Sequence, residues 1–180
     1  MYSIETINYW VALGAVGMQL AALVLLVIFL LRKRFTDLED IAALTAKWGL
    51  WAGFLLTSSG LVMSLFYSEV LGLTPCGWCW VMRIFMYSQV VLFAVALWKR
   101  DRGIADYSIA LSVLGLAVGL YQHYLQMGGT SALPCPATAS EALDCAVRFL
   151  FEFGYVTFPL VGSSLFAFLI IVMLFVRKRV

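Results

Sequence analysis

Apolar residues in this chain do not alternate with polar ones. They run in five long blocks, about 9–31, 48–71, 80–98, 104–125 and 156–176, separated by short polar segments. A helix needs roughly 20 such residues to cross a bilayer. Runs without period-two alternation argue against membrane strands. In lipid the backbone must satisfy its own hydrogen bonds, which a helix does within one segment. The pattern therefore predicts an all-α integral membrane bundle, a single domain over 1–180 without repeats.

Two polar segments carry local signals. Residues 35–47, with Asp37, Glu39 and Asp40, form the longer connection on their side, and Thr36 with Glu39 has capping-box spacing. Residues 126–155 divide in two. Gly128, Gly129, Pro134 and Pro136 make the first part irregular. Ser140 to Phe153 is predicted to be a short amphipathic helix, with Leu143, Val147, Leu150 and Phe151 opposite Glu141, Asp144, Arg148 and Glu152. Thr138 and Glu141 would cap it and Gly154 would end it. That helix would hold Cys145 at the interface, either on lipid or packed on the bundle. Pro159 suits the start of the last span.

Composition agrees with a membrane protein. Of 180 residues, 63% are hydrophobic and 12% charged, where a soluble domain carries about 25% charged residues. The first block is expected to be a retained helix, not a secretory signal. No basic residue precedes it, and Arg32, Lys33 and Arg34 follow it. The basic residues fall mainly in three places: Arg32, Lys33, Arg34 and Lys47; Lys99, Arg100 and Arg102; Arg177, Lys178 and Arg179. Five spans put all three groups on one side, which the positive-inside rule makes cytoplasmic. The N-terminus and the 72–79 and 126–155 loops are then outside. All four cysteines lie in those two loops, on the face where disulfides persist.

Cys76-Gly77-Trp78-Cys79 follows Pro75. Two cysteines at this spacing can close a small disulfide ring, and free N–H groups at a helix start favour a thiolate on the second. That is the apparatus of thiol–disulfide exchange. Zinc sites use the same spacing, with Cys135 and Cys145, or His123, as further ligands. A structural pair of disulfides is the other alternative, although a four-residue bridge removes little unfolded-state entropy. Four cysteines allow three pairings.

Arg83 lies four residues after Cys79, one turn deeper on the same face. An ionisable group in a span is a functional candidate by default. It could stabilise a Cys79 thiolate or donate to a quinone oxygen as charge builds there. The alternative is an arginine that snorkels to the headgroups. His123, the single histidine, could polarise a bound carbonyl or relay a proton, or be an ordinary interfacial histidine.

Leu73-Thr74-Pro75-Cys76-Gly77-Trp78-Cys79-Trp80-Val81-Met82-Arg83-Ile84-Phe85-Met86-Tyr87 closely resembles the signature of the disulfide bond formation protein B family, especially its BdbC branch. Tyr121-Gln122-His123-Tyr124-Leu125-Gln126, the Cys135 and Cys145 pair, and Phe153-Gly154-Tyr155-Val156-Thr157-Phe158-Pro159 resemble further parts of that family in the same order. The resemblance covers about 48–176. It implies a four-helix redox core in a bacterial cytoplasmic membrane, with 9–31 as an extra N-terminal helix. It implies Cys76 and Cys79 as the quinone-side pair, with Cys79 facing the quinone (ubiquinone or menaquinone). Arg83 and His123 match positions near the quinone ring. Cys135 and Cys145 would be the shuttle pair that oxidises a DsbA-like, thioredoxin-fold thiol oxidase, and Cys135 would form the mixed disulfide. Besides that partner and the lipid bilayer no nucleic-acid partner is expected. Two features depart from the family pattern: Met82 stands where polar residues are common, and the second cysteine loop is short. The vitamin K epoxide reductase family shares four helices, four cysteines and quinone chemistry, but its loop pair precedes the Cys-x-x-Cys motif, whereas here the motif comes first. A non-enzymatic protein with structural disulfides or a four-cysteine metal site is the reading from another class.

Overall fold

The computed structural model describes residues 4–136 and 144–177, apart from the side chains at 36 and 37. Five helices follow in chain order: α1 (Ile4–Leu31), α2 (Thr36–Leu65), α3 (Gly77–Lys99), α4 (Ile104–Gln126) and α5 (Phe158–Arg177). A π-helical turn, Phe66–Val70, continues α2. All five are long and apolar enough to cross a membrane. The Arg32–Arg34 and Arg100–Arg102 turns lie at one end of the bundle. Arg177 joins that end through an ion pair of 2.9 Å with Asp106. The cysteine loops lie at the other.

The most buried helix, α5, is the axis on which α1, α2 and α4 pack. Leu165, Phe166, Leu169, Val172, Met173 and Val176 meet Leu50 and Phe93 in the largest core cluster. With lipid outside, close packing and polar pairs hold helices together more than apolar burial does. Both devices are present. A Cβ at Gly53 would stand 2.6 Å from the Phe93 ring, so the missing side chain lets α2 and α3 approach. In mid-bundle, Gln89 of α3 donates to Ser112 of α4 at 3.1 Å and accepts from Ser108 at 2.6 Å.

Two sequence expectations are corrected. The 35–47 segment is not a connection, because α2 begins at Thr36 and runs through it unbroken. Ala42 and Ala46, one turn apart, bury against Phe175 of α5, with Phe29 of α1 alongside. That packing extends the helix beyond the apolar block. The Thr36 side chain lies outside the described residues.

The helix expected over Ser140–Phe153 does not form where the chain is described. Residues 144–150 are turns and coil, and Phe151–Glu152 (β1) pairs antiparallel with Val156–Thr157 (β2). The expected cap, Thr138 with Glu141, lies outside the described residues. The carbonyls a helix would use are taken by side chains from elsewhere. Gln126 donates to Val147 O at 2.9 Å, and Asn8 donates to Phe149 O at 3.2 Å. Leu150 and Val156 bury against Ala12 and Ala15 of α1. Phe153 and Gly154, at φ +53° and +77°, turn the hairpin where a helix stop was expected. Cys145 is buried, not presented to the membrane surface.

Candidate functional site: a cysteine relay beside an apolar cavity

Pro75 halts the chain and Cys76 becomes the N-cap of α3, its sulfur accepting from the Cys79 N–H at 3.4 Å. Short polar side chains ordinarily do this work at a helix start. Here a sulfur does it, which places Cys79 in the first turn among free N–H groups. The sulfurs of Cys76 and Cys79 are free thiols 2.7 Å apart. Hydrogen bonding to Cys79 and burial push the Cys76 thiol up.

Cys135 and Cys145 form a disulfide, selecting one of the three pairings and leaving these two sulfurs bonded to each other. This disulfide lies against the first pair. Cys76, Leu125 and Cys145 form one buried cluster, with Cys79, Cys135, Trp78 and Tyr121 packed around it. Gly77 permits the approach, because any Cβ there would collide with the carbonyl oxygen of Pro136. Tyr121 pins the loop by accepting from Leu133 N at 2.8 Å and donating to Leu133 O at 3.0 Å. The short loop is thus enough to bring Cys145 to the Cys76 cluster.

Below the motif lies a cavity of about 510 Å³ walled by α1, α2, α3 and α5. Its walls are mostly apolar, with Met82, Met86, Phe158 and Leu165 among them. Cys79, Arg83 and Gln122 are among its polar lining residues, with Ser59, Ser64, Tyr67 and Thr74. Cys79 lines the cavity and Cys76 does not, so the pair has one sulfur toward the cavity and one toward the second disulfide.

Arg83 is buried at 9% exposure and therefore does not snorkel. Its Nη2 donates to Ser64 O at 2.9 Å, and its guanidinium stands over the Trp80 ring at 5.1 Å. One of its five N–H donors is used in that bond.

His123 is placed differently from the sequence expectation. Its Nδ1 stands 2.8 Å from Thr157 Oγ1, and it is not among the residues lining the cavity. Successive helical residues are turned by 100°, so residues 122 and 123 cannot both face the cysteines. Gln122 does. It is fully buried, and its Nε2 donates to Cys76 Sγ at 2.9 Å and Cys79 Sγ at 3.1 Å. Its Oε1 has no protein partner, although unpaired buried polar atoms are rare. Sequence reasoning missed Gln122, and the available signal was an amide inside an apolar span beside the histidine that drew attention.

A family model described as disulfide bond formation protein DsbB matches residues 45–176. The chain is 35% identical over 121 residues to a probable disulfide formation protein C of Bacillus cereus, covering 67% of this chain and 81% of the relative. It is 32% identical over 114 residues to the SPbeta prophage-derived disulfide bond formation protein B of Bacillus subtilis, covering 63% and 75%. It is 30% identical over 118 residues to a probable disulfide formation protein of Chlamydia caviae, covering 65% and 82%. No solved structure matches the chain. With five helices able to span a membrane and a family match over most of its length, the chain belongs to the DsbB family of disulfide bond formation proteins.

Proposed function

We propose that the chain is a thiol:quinone oxidoreductase. It reoxidises an extracytoplasmic thiol oxidase of the thioredoxin fold and delivers the electrons to ubiquinone or menaquinone in the membrane. Family membership supports the coarser part, membrane disulfide formation. One observation carries the finer part: the Cys76–Cys79 pair lies between a second disulfide and an apolar cavity, with one sulfur toward each.

The cavity fits a quinone. Its apolar walls suit a ring and isoprenoid tail, and the polar end holds the buried Arg83 cation beside the Cys79 sulfur. A bound quinone would supply the oxidant, taking up two electrons and two protons. The chain's residues do the rest. A thiolate of the partner attacks Cys135, forming a mixed disulfide and releasing Cys145. The second partner thiol closes the partner's disulfide and releases Cys135. Cys145, buried beside Cys76, then attacks the Cys76–Cys79 disulfide at Cys76 and frees Cys79 as the leaving thiolate. Cys135 closes on Cys145, which restores the loop disulfide and leaves Cys76 and Cys79 reduced. The α3 N-terminus and the Gln122 amide stabilise the sulfur charge, and Arg83 holds a positive charge on the cavity wall. Each turnover moves two electrons and two protons from one partner dithiol to the cavity.

The test is quinone reduction by purified protein with a dithiol as reductant. Loss of quinone absorbance with the wild type and none with Cys79→Ser supports the reading. Wild-type protein that oxidises no dithiol at the expense of quinone sinks it.

A further inference from the structure

Helix α1 lies outside the family match, which begins at residue 45, yet its residues are part of the cavity wall. Val11, Gly14, Ala15 and Met18 recur at helical spacing and line the same cavity as Cys79, Arg83 and Gln122. Two polar side chains anchor α1 on either side of this stretch. Asn8 accepts from the buried Tyr67 hydroxyl at 2.7 Å, and Gln19 donates to Ser164 of α5 at 2.8 Å. A helix added only to meet lipid needs neither bond. Interhelical hydrogen bonds and small contact residues are what fix one span on another inside a membrane.

Gly14 is the informative position. A Cβ there would meet no atom within 4 Å, so the glycine is not required for helix packing. Glycine costs a helix interior roughly 1 kcal/mol relative to alanine. What sets Gly14 apart is that it lines the cavity, so an added side chain has open space to enter there. Gly17, one turn further on, also has open space around it and does not line the cavity.

We propose that α1 is a working wall of the redox cavity and that Gly14 keeps open the space in which the lipid-soluble quinone lies. This rests on the quinone reading above and assigns α1 a part in binding. A larger side chain at Gly14 enters the ligand's space without displacing any helix, whereas Gly17, about 60° away around the helix, is not a lining residue.

The experiment uses the purified full-length protein in detergent, titrated with decylubiquinone and with menadione and followed by tryptophan quenching and by ligand-induced thermal stabilisation. Helicity and monodispersity are matched by circular dichroism and gel filtration. Wild type and Gly17→Leu are expected to bind alike. Gly14→Leu is expected to weaken binding by about tenfold or more, corresponding to about 1.4 kcal/mol, with Gly14→Ala between them. Equal binding by Gly14→Leu and wild type overturns the role of α1 and leaves the quinone reading standing. Equal weakening by Gly17→Leu also overturns it, since the effect would then belong to α1 as a whole. A wild type that binds neither quinone overturns both.

Discussion

Gln122 of α4 donates its amide to Cys76 Sγ across 2.9 Å, and the same nitrogen reaches Cys79 at 3.1 Å. One neutral donor from a neighbouring helix thus serves both sulfurs of a motif carried by α3. A donor aimed at sulfur favours the electron-rich, reduced form of the pair. A hydrogen bond to a charged group contributes about 1.5–3 kcal/mol, and for this two-electron couple 1.4 kcal/mol corresponds to about 30 mV. Gln122→Leu is therefore expected to lower the Cys76–Cys79 potential by roughly 30–60 mV. Redox titration with thiol trapping measures it, and an unchanged potential would reduce Gln122 to a packing residue.

Arg83 is buried and lines the cavity with Cys79. Arg83→Met is expected to cut quinone turnover or raise its KM about tenfold or more, the loss of one charge-assisted contact of about 1.5–3 kcal/mol. Arg83→Lys should recover part of this, since lysine keeps the charge and lacks the planar fork. Steady-state rates at matched folded protein decide it. Wild-type kinetics in Arg83→Met would take the residue out of the site.

The tie between α1 and the core is testable apart from any activity. The Tyr67 hydroxyl donates to Asn8 Oδ1 at 2.7 Å, and both residues are buried. Tyr67→Phe keeps the ring and removes the bond, so a stability loss of about 1 kcal/mol is expected. Asn8→Leu should cost more, because it also strands the Phe149 carbonyl that Asn8 now serves. Thermal unfolding of the two single variants and the double variant forms a cycle. Additive losses would mean that Tyr67 and Asn8 do not interact.

We propose from the basic residues at the Arg32–Arg34 end that this end is cytoplasmic. A maleimide that cannot cross membranes should label reduced Cys135 from outside and should miss a cysteine introduced as Lys33→Cys. Labelling of the introduced cysteine from outside would invert the topology.

The spans were legible because a helix in lipid must be long and continuously apolar, and five blocks met that condition. The cysteine motif was legible because its spacing is local. The start of α2 was not, because Ala42 and Ala46 read as weakly apolar until Phe175 packs on them. The 144–153 stretch has a helical apolar pattern, yet Gln126 and Asn8, distant in sequence, take its carbonyls. On α4 the residue that meets the sulfurs is the neighbour of the one the sequence pointed to. Chemistry drew attention to His123, while helix rotation set Gln122 against the sulfurs. The cavity wall from α1 had no sequence signal beyond Asn8 and Gln19, two amides in a mostly apolar helix.

The central claim is that two cysteine pairs act in series and end at a quinone. Fully reduced protein, freed of reductant and mixed anaerobically with excess quinone, tests it by stoichiometry. Four thiols closing to two disulfides release four electrons, so the account expects two quinones reduced per chain. With Cys135→Ser it expects one, drawn from Cys76 and Cys79 alone. No quinone reduced by the wild type, or one still reduced by Cys79→Ser, whose loop pair would have no path to quinone, would contradict it.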